Sequence, residues 1–436
     1  MDMKSVWQDT ASIPHFPRLD GDLNPDVLVI GGGLAGILCA YMLHQEGISC
    51  ALVEADKIFG GVSGNTTAKI TAQHGLIYDK LLRRFGQERA KLYLQANLQA
   101  LESYRHFSQR IPCDLENQDS YVYSLDQPKK LEQELTALEK LGFPAQLVDK
   151  VPLPFDVAGA VRFPGQAQFH PGKFISGIAK GLNIYEHTAV RGFDGQGWQT
   201  DRGRITAKKT IVASHFPFLN KHGAYFLKLY QHRSYVLALE GGPDVDGMYV
   251  DEQKTGLSLR NHGSLLLLGG GAHRTGKSGG GWAELEAFAQ KHYPEAKIRY
   301  RWATQDCMSL DGVPYIGLYS QNTPNLYVAT GFNKWGMTSS MVAAAIVRDL
   351  VQERENPFAP VFSPSRSILR PQLALNTFHA TVNLLTPTAP RCPHMGCALK
   401  WNRQERTWDC PCHGSRFDET GTVLNGPATQ DKKLGD

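Results

Sequence analysis

The fold of this chain is decided by one stretch, DVLVIGGGLAGILCAYMLHQEGISCALVE, which covers residues 26–54. A short apolar strand, Asp26 to Ile30, leads directly into a glycine-rich turn and then into an apolar helix that continues to Gly47. A second strand, Ser49 to Val53, ends in Glu54. The order of strand, glycine-rich turn, helix, strand and acid predicts one βαβ unit of a parallel sheet.

The glycines of this turn predict a site for the pyrophosphate of a dinucleotide. Gly31 permits the tight turn off the strand, Gly33 lets the backbone approach the pyrophosphate, and Gly36 allows the helix to pack closely. The helix N-terminus supplies N–H groups and a positive dipole to the phosphates. Glu54 is placed to accept hydrogen bonds from a ribose hydroxyl. A glycine-rich turn without a ligand is the alternative, and the matching strands, helix and terminal acid disfavour it.

The length and charge of the chain limit its number of domains and its class of partner. The chain has 436 residues, which is long for one hydrophobic core, so two or more domains are expected. Its formal net charge is only +4 and its Lys/Arg pairs are scattered, which disfavours a nucleic-acid surface. The N-terminal residues lack the pattern of a secretory signal, and no apolar run is long enough to span a membrane. We therefore expect a cytoplasmic protein.

Half of the eight cysteines lie close together near the C-terminus, in two short motifs. The first motif is Cys392-Pro393-His394, and the second is Cys410-Pro411-Cys412-His413. A zinc site would favour two CxxC pairs, or one CxxC with a pair of histidines, and neither arrangement fits well. Two cysteines and two histidines in these motifs match the Rieske arrangement, in which thiolates hold one iron and imidazoles hold the other. The pattern predicts a [2Fe–2S] cluster bound by Cys392, His394, Cys410 and His413, with structural zinc as the alternative.

Three segments resemble the D-amino-acid-oxidase-like flavin oxidoreductases, to which glycine and sarcosine oxidases belong. They are the N-terminal fingerprint, the loop GGVSGNTTAK at residues 60–69, and DGVPYIG at 311–317 followed by NLYVATGF at 325–332. The resemblance implies FAD as the dinucleotide and hydride transfer to flavin N5. It also implies a further set of FAD contacts, namely Ser63, Thr67, Val190, Gly312, Gly331, Gly336, Met337 and Thr338.

The fold class that follows is α/β, or α+β. A Rossmann-like FAD-binding domain is interleaved with a mixed-sheet substrate domain, and a small all-β Rieske domain follows. We expect an N-terminal arm (1–25), a flavoprotein body (26–350), a proline-rich linker (351–375) and a minimal Rieske domain (376–436). Within the body, the FAD-binding parts are about 26–77, 151–230 and 300–350, and the substrate-domain parts are about 78–150 and 231–299.

The C-terminal motifs also resemble Rieske proteins in their surroundings. The segment NGPA at residues 425–428 resembles the loop that shields the cluster. The resemblance implies a disulfide between Cys397 and Cys412 and a hydrogen bond from Ser415 to the cluster. Phe417 stands where high-potential relatives have tyrosine, which removes one hydrogen-bond donor and predicts a lower potential.

We expect a dehydrogenase that oxidises a C–N bond of a small amine or amino acid and releases electrons singly through the cluster. The expected acceptor is a protein or a quinone. His74 and Arg260 are weak candidates for the substrate site, and a core histidine and a solvent-facing arginine are the plain alternatives. Two other functions stay open: a redox relay, and a reductase or monooxygenase component in which the cluster delivers electrons to the flavin.

Overall fold

The computed structural model describes residues 4–387 and 390–432. Its strands, in chain order, are β1 (Val27–Ile30), β2 (Cys50–Val53), β3 (Lys69–Ile70), β4 (Glu116–Ser124), β5 (Gln146–Val148), β6 (Gly159–Gln168), β7 (Ile184–Tyr185), β8 (Gly192–Phe193), β9 (Trp198–Gln199), β10 (Arg204–Ile205), β11 (Lys209–Val212), β12 (Leu229–Glu240), β13 (Met248–Asp251), β14 (Ser258–His262), β15 (Leu265–Arg274), β16 (Lys297–Ser309), β17 (Tyr315–Leu318), β18 (Leu326–Thr330), β19 (Lys400–Asn402), β20 (Thr407–Asp409), β21 (Arg416–Phe417) and β22 (Val423–Asn425). Its helices are α1 (Val6–Thr10), α2 (Leu34–Gln45), α3 (Tyr78–Ser108), α4 (Pro128–Leu141), α5 (Pro171–Ile178), α6 (Tyr225–Lys228), α7 (Gly281–His292), α8 (Gly336–Val351), α9 (Ala359–Phe362) and α10 (Pro371–Leu385).

The predicted βαβ unit is the centre of a six-stranded sheet with the order β17-β18-β11-β1-β2-β7. Strand β1 runs parallel to both β2 and β11, so that Val27 lies opposite Cys50 on one side and Lys209 on the other. All four residues of β1 are buried, as in a parallel sheet that is covered on both faces. The Rossmann-like part of the predicted fold is thus confirmed.

The second large sheet has nine strands, in the order β16-β12-β15-β14-β13-β4-β6-β3, with β5 paired to β6. Strands β13 and β4 run parallel and the other pairs run antiparallel, so the predicted mixed sheet is confirmed. Strands β3, β6 and most of β16 come from segments that the sequence assigned to the FAD-binding parts. The residue boundaries between the two interleaved domains stay a prediction.

The segment expected to be a proline-rich linker packs along the flavoprotein body. Val361 and Phe362 of α9 join the main hydrophobic core. The Arg366 guanidinium forms a buried ion pair with Asp311, at 2.8 Å between Nε and Oδ2. Helix α10 begins within the segment at Pro371 and continues to Leu385, so the chain is helical across the predicted boundary between linker and Rieske domain.

The C-terminal part contains the predicted small all-β unit. Strands β19 to β22 form an antiparallel four-stranded sheet in sequential order. Cys392, Cys397, Cys410 and Cys412 lie in a small core of their own together with Phe417. Across the parts of the chain that the structure describes, none of the helices is long and apolar enough to cross a membrane.

Candidate functional site

The glycine-rich turn after β1 has the geometry of a phosphate-binding loop. Gly31 has a φ of +116°, and a Cβ atom on it would lie 2.6 Å from the main-chain oxygen of Ala213. A Cβ atom on Gly36 would collide with the main-chain oxygen of Gly31, so α2 packs onto the turn only without a side chain there. Gly33 is the N-cap of α2, which directs the helix N-terminus at the space beyond the turn.

A cavity of about 1390 Å³ opens at this turn. Ten of the twelve residues predicted to contact FAD line it, namely Gly31, Gly33, Glu54, Ser63, Thr67, Val190, Gly312, Gly331, Gly336 and Met337. Gly36 and Thr338 do not line it: Gly36 holds the helix against the turn, and Thr338 is buried as the third residue of α8. The glycines leave open a space that larger side chains would fill, and this space lies beside the N-terminus of α2. Such a space fits the pyrophosphate of FAD.

Glu54 and Ser63 hold the turn in shape. The Glu54 carboxylate accepts hydrogen bonds from the backbone N–H groups of Gly32 (2.6 Å) and Asp56 (2.9 Å). The Ser63 hydroxyl oxygen accepts one from the N–H of Leu34, at 2.8 Å. Burial raises the pKa of Glu54. A carboxylate has about four acceptor positions, so these contacts leave room for a ribose hydroxyl.

His74 lines the cavity but its ring is fully engaged. Nδ1 lies 2.6 Å from the Tyr93 hydroxyl, and Nε2 lies 2.9 Å from the main-chain oxygen of Thr71 and 3.0 Å from the Thr338 hydroxyl. The ring stacks on Trp335 with a centroid distance of 5.1 Å. Burial lowers the pKa of His74 to about 3, so the ring is neutral. These contacts give His74 a positioning role at the start of α8.

Arg260 does not line the cavity. Its side chain is fully buried behind the loop that follows α2 and β2, where Nε donates a 2.6 Å hydrogen bond to the main-chain oxygen of Thr67. The guanidinium also lies over the ring of Trp7, at 5.3 Å. The observed position of Arg260 differs from both expectations: the side chain neither reaches a substrate carboxylate in the cavity nor faces solvent from its strand. Arg260 instead braces the loop that carries Thr67.

Among the charged side chains that line the cavity, three that the sequence did not single out act on one another electrostatically: Lys69, Lys334 and Asp306. The Lys69 ammonium donates to the Thr67 hydroxyl at 3.0 Å, and the Lys334 ammonium donates to the main-chain oxygen of Lys254 at 2.7 Å. The Asp306 carboxylate accepts a 2.9 Å hydrogen bond from Ser234. Within the described residues, neither lysine forms a salt bridge with a carboxylate.

The protonation of these groups follows from burial and from their mutual repulsion or attraction. Burial, together with the positive charges of Arg260 and Lys334, lowers the pKa of Lys69 to about 7. Burial raises the pKa of Asp306, although Lys334 opposes that rise. The sequence signal for Lys69 was its position at the end of the quoted segment 60–69, and that for Lys334 was its position two residues after the quoted segment 325–332. Asp306 lies in the middle of β16 and carries no such signal.

The four predicted iron ligands converge in the C-terminal domain. The rings of His394 and His413 have centroids 4.9 Å apart, and the Nδ1 atom of each is buried without a hydrogen-bond partner among the described residues. Cys392 and Cys410 are buried free thiols. Two orphaned imidazole nitrogens and two free thiols in one small core are the donor set of a Rieske [2Fe–2S] cluster.

The two ligand loops have matching backbones. The Cys392 oxygen accepts a hydrogen bond from the Gly396 N–H, and the Cys410 oxygen accepts one from the Gly414 N–H, both at 2.9 Å. Both glycines have positive φ, at +76° and +84°, which lets each loop turn back sharply.

A disulfide joins the two loops. It links Cys397 to Cys412, with Cα atoms 6.6 Å apart. The sulfur of Cys410 lies within 4.8 Å of both bonded sulfurs, so three sulfurs are close together but only that of Cys410 is free to bind a metal. The Ser415 hydroxyl oxygen accepts a 3.0 Å hydrogen bond from the Ala428 N–H of the predicted shielding loop.

The cluster domain is docked on the two strands that line the FAD cavity. Along β12, Tyr230 and Ser234 line the cavity, whereas Gln231 donates to the main-chain oxygen of His413 at 2.7 Å. Along β16, Asp306 lines the cavity and Gln305 donates to the main-chain oxygen of Gly414 at 2.8 Å. Successive residues of a strand point to opposite faces, so alternate side chains of β12 and β16 serve the two sites.

The two predicted histidine ligands face the flavoprotein body. Nε2 of His394 lies 3.0 Å from the Asn220 side-chain oxygen. The ring of Phe216, which also lines the cavity, has its centroid 6.2 Å from that of His413. At the far end of the cavity, Arg191 donates to the main-chain oxygen of Thr429 at 2.7 Å.

A buried ionic group holds the docked domain. Glu405 of the C-terminal domain accepts hydrogen bonds from Arg233 and Tyr235 of β12 and from Arg416 of its own domain, at 2.9, 2.9 and 2.8 Å. Burial alone would raise the pKa of Glu405, but Arg233 and Arg416 hold it at about 2. The carboxylate is therefore ionised between two guanidinium groups.

Comparison with known proteins agrees with both sites. The sequence model of the family described as FAD dependent oxidoreductase, DAO, matches residues 26–350, and that of the Rieske [2Fe-2S] domain matches residues 379–434. The chain belongs to the DAO family of FAD-dependent oxidoreductases. It also carries a Rieske domain, so the predicted cofactors, FAD and a [2Fe–2S] cluster, are confirmed.

Relatives of this DAO-family flavoprotein include one with the same extent. YhfW of Bacillus subtilis, which is named as a Rieske 2Fe-2S iron-sulfur protein, is 34% identical, and the match covers 99% of this chain and 97% of YhfW. The cytochrome b6-f complex iron-sulfur subunit of Nostoc punctiforme is 57% identical over 37 residues, which are 8% of this chain and 21% of that subunit.

Solved structures share the fold of the flavoprotein body. The glycine oxidase of Geobacillus kaustophilus superposes with a TM-score of 0.67 at 22% identity, covering 79% of this chain and 99% of its own. The L-proline dehydrogenase of P. horikoshii superposes with a TM-score of 0.65 at 17% identity, covering 80% and 98%. At these identities the likeness concerns the fold.

Proposed function

We propose that this chain is a dehydrogenase that oxidises the C–N bond of a small amine bearing a carboxylate and sends the electrons through its own Rieske cluster. The observation that carries the proposal is the shared use of β12 and β16. Side chains of these strands line the FAD cavity at Ser234 and Asp306, and their neighbours Gln231 and Gln305 bond to the loop of His413. A path this direct favours electron transfer within one chain.

The charges of the cavity support the substrate class. Lys69 and Lys334 present two ammonium groups that have no carboxylate partner among the described residues, and Asp306 presents one carboxylate. A substrate with a carboxylate and an amine complements this arrangement, because each of its charged groups finds an opposite charge in a buried site.

The chemistry proposed is a two-electron oxidation. FAD, when bound, supplies the hydride acceptor at N5, and the cluster supplies a one-electron centre. The substrate nitrogen gives up a proton, and the neutral nitrogen then forms a C=N bond as the adjacent carbon gives up a hydride. Asp306 is the group we assign to receive the hydrogen bond, and then the proton, of the substrate nitrogen. Lys69 and Lys334 hold the substrate carboxylate, and both electrons leave singly for an acceptor beyond the cluster.

Anaerobic mixing of the holoprotein with a panel of amino acids, N-methyl amino acids and dicarboxylic amines tests this function. We expect bleaching of the flavin absorbance, followed by the electron paramagnetic resonance signal of a reduced Rieske cluster. Oxidation of the reduced protein is expected to be faster with ferricyanide than with oxygen. Flavin bleaching without a cluster signal would contradict the coupled scheme, and no bleaching with any amine would favour the redox relay.

A cluster-free variant separates the two halves of the proposal. Cys410→Ser removes one predicted ligand, and we expect iron to be lost while FAD is retained and still bleached by substrate. Cys307→Ser is the matched control, because Cys307 is also a buried free thiol but lies in β16, next to Thr330. Retention of iron in C410S would contradict the assignment of the ligand.

A further inference from the structure

Helix α10 has its polar side inward and its apolar side outward. Asn376 and Asn383, on the inner side, are 7% and 3% exposed. The Asn376 side-chain oxygen accepts a 2.8 Å hydrogen bond from Arg274 of the flavoprotein body. The opposite side carries large apolar side chains at helical spacing: Leu375, Phe378, Val382 and Leu385 are 53%, 63%, 44% and 77% exposed. We call these four residues the apolar face of α10.

An exposed face of this kind is unfavourable in water, because each large apolar side chain left in contact with solvent forgoes the free energy of burial. The apolar face runs from Leu375 to Leu385, so it forms a stripe about 15 Å long on the 15-residue helix α10. The helix contains no charged residue. It is too short to cross a bilayer, but its length and character suit a helix lying on one.

The sequence on either side of the helix carries charge of one sign. From residue 356 to residue 404, a run of 49 residues, the sequence has no Asp or Glu and has five Lys or Arg. The whole chain has 42 acidic residues among 436, about one in ten, so such a run departs strongly from the average. Of the five cations, Arg366 is paired with Asp311. The others form no salt bridge among the described residues: Arg370, Arg391, Lys400 and Arg403.

Two of these cations lie at the ends of the helix. Arg370 is the residue before the first turn of α10. Arg391 donates to the main-chain oxygens of Leu384 and Thr386 at the other end, and also to that of Gly396 in the first cluster loop. Met395, beside that glycine, is 41% exposed and adds to the apolar surface.

We infer that the apolar face of α10 binds the surface of an anionic lipid bilayer. The apolar stripe would lie among the acyl chains near the headgroups, and the flanking cations would contact the anionic headgroups. A second copy of this chain is disfavoured as the occupant, because a symmetric pairing would oppose two positively charged surfaces. Attachment there would place the cluster domain next to the membrane, independently of which substrate the flavoprotein oxidises.

Sedimentation of the full-length holoprotein with vesicles tests the inference. We expect the protein to sediment with vesicles of equal parts phosphatidylglycerol and phosphatidylcholine, and much less with phosphatidylcholine alone. Phe378→Ser combined with Leu385→Ser should weaken binding to the anionic vesicles at least tenfold. Phe193→Ser is the matched control, because Phe193 is 54% exposed on β8 and should leave binding unchanged.

A variant that removes charge tests the inference independently if the apolar double variant folds poorly. Lys400→Gln with Arg403→Gln leaves α10 intact and should weaken binding to the anionic vesicles at least threefold. The Rieske electron paramagnetic resonance signal and the Tm of each variant report its folding. Failure of the wild type to bind anionic vesicles would overturn the inference. So would equal binding by well-folded F378S/L385S, or a dimer in sedimentation velocity that this variant converts to a monomer.

Discussion

The side-chain amide of Gln231 donates a 2.7 Å hydrogen bond to the main-chain oxygen of His413, a predicted iron ligand. The residue before it, Tyr230, lines the FAD cavity. The side-chain amide of Gln305 donates one hydrogen bond to the side-chain oxygen of Gln231, at 2.7 Å, and another to the main-chain oxygen of Gly414. Two buried glutamines of the flavoprotein body thus hold the loop that carries the cluster.

Replacing Gln231 with Leu should slow electron transfer from flavin to cluster. The substitution leaves the main-chain oxygen of His413 without its donor, at a destabilisation of about 1 to 3 kcal/mol, and loosens the loop. We expect flavin bleaching by substrate at the wild-type rate and cluster reduction slowed about tenfold, measured by rapid freezing and electron paramagnetic resonance. Gln352→Leu, at the end of α8, is the control, and a normal rate of cluster reduction in Q231L would rule out this role.

Replacing Glu405 with Gln should loosen the docked domain. The substitution leaves Arg233 buried without a carboxylate, which typically destabilises by about 3 to 5 kcal/mol, while Arg416 keeps its pair with Asp409. Urea denaturation followed by cluster absorbance measures the change. Glu419→Gln removes an exposed pair with Arg406 in the same domain and should change stability by less than about 1 kcal/mol.

The same residue predicts a pH dependence. Arg233 and Arg416 hold the pKa of Glu405 at about 2, below its ordinary value of 4.5. A carboxyl whose pKa is depressed by folding contributes stability above its unfolded pKa and loses that contribution as pH falls toward the folded value. The difference in stability between wild type and E405Q should therefore shrink between about pH 5 and pH 2. A difference that stays constant over this range would contradict the assignment.

Replacing Lys69 with Met should weaken the binding of carboxylate substrates. Burial and neighbouring cations lower the pKa of Lys69 to about 7, so its charge is present below that pH and lost above it. We expect the wild-type kcat/KM to fall as pH rises through about 7, and K69M to be at least tenfold lower and flat over that range. Lys173→Met, an exposed lysine paired with Asp114, is the control. An unchanged KM in K69M would show that Lys69 does not bind the substrate.

Replacing Gly36 with Ala should abolish FAD binding. The new Cβ would collide with the main-chain oxygen of Gly31 and push α2 away from the phosphate-binding turn. We expect the purified variant to lack the flavin spectrum. Gly192→Ala is the control, because nothing lies within 4 Å of a Cβ there, and it should retain FAD. Full FAD content in G36A would show that the helix can move without loss of the site.

Local features of the sequence were sufficient for both cofactors. The unit from β1 to β2 forms within about 30 residues, and each cluster motif forms within a few, so their geometry depends on backbone turns and short loops that the residue types dictate. Gly142, a residue type that favours the left-handed backbone of a helix C-cap, ends α4 with a φ of +75° for the same reason.

Side chains from distant parts of the chain needed the tertiary structure. One strand, β3, carries Lys69, a second strand, β16, carries Asp306, and the loop before α8 carries Lys334. More than 200 residues of sequence separate Lys69 from Asp306. Only the tertiary fold brings them to one cavity, because β3 and β16 are at opposite ends of the nine-stranded sheet and Lys334 follows β18 of the other sheet. Arg260, which the sequence placed near a substrate, is held behind the loop of Thr67 because its strand is covered by α1 through Trp7.

The sequence by itself determined the cofactors, the fold class and the contacts between residues that are close along the chain. The tertiary structure decided how the Rieske domain lies on the flavoprotein body and which side of α10 faces outward. Short-range turns are fixed by backbone sterics and local hydrogen bonds, whereas docking depends on matching surfaces that no single segment encodes. The bond from Gln231 to His413 joins residues 182 positions apart, and only the folded chain makes it.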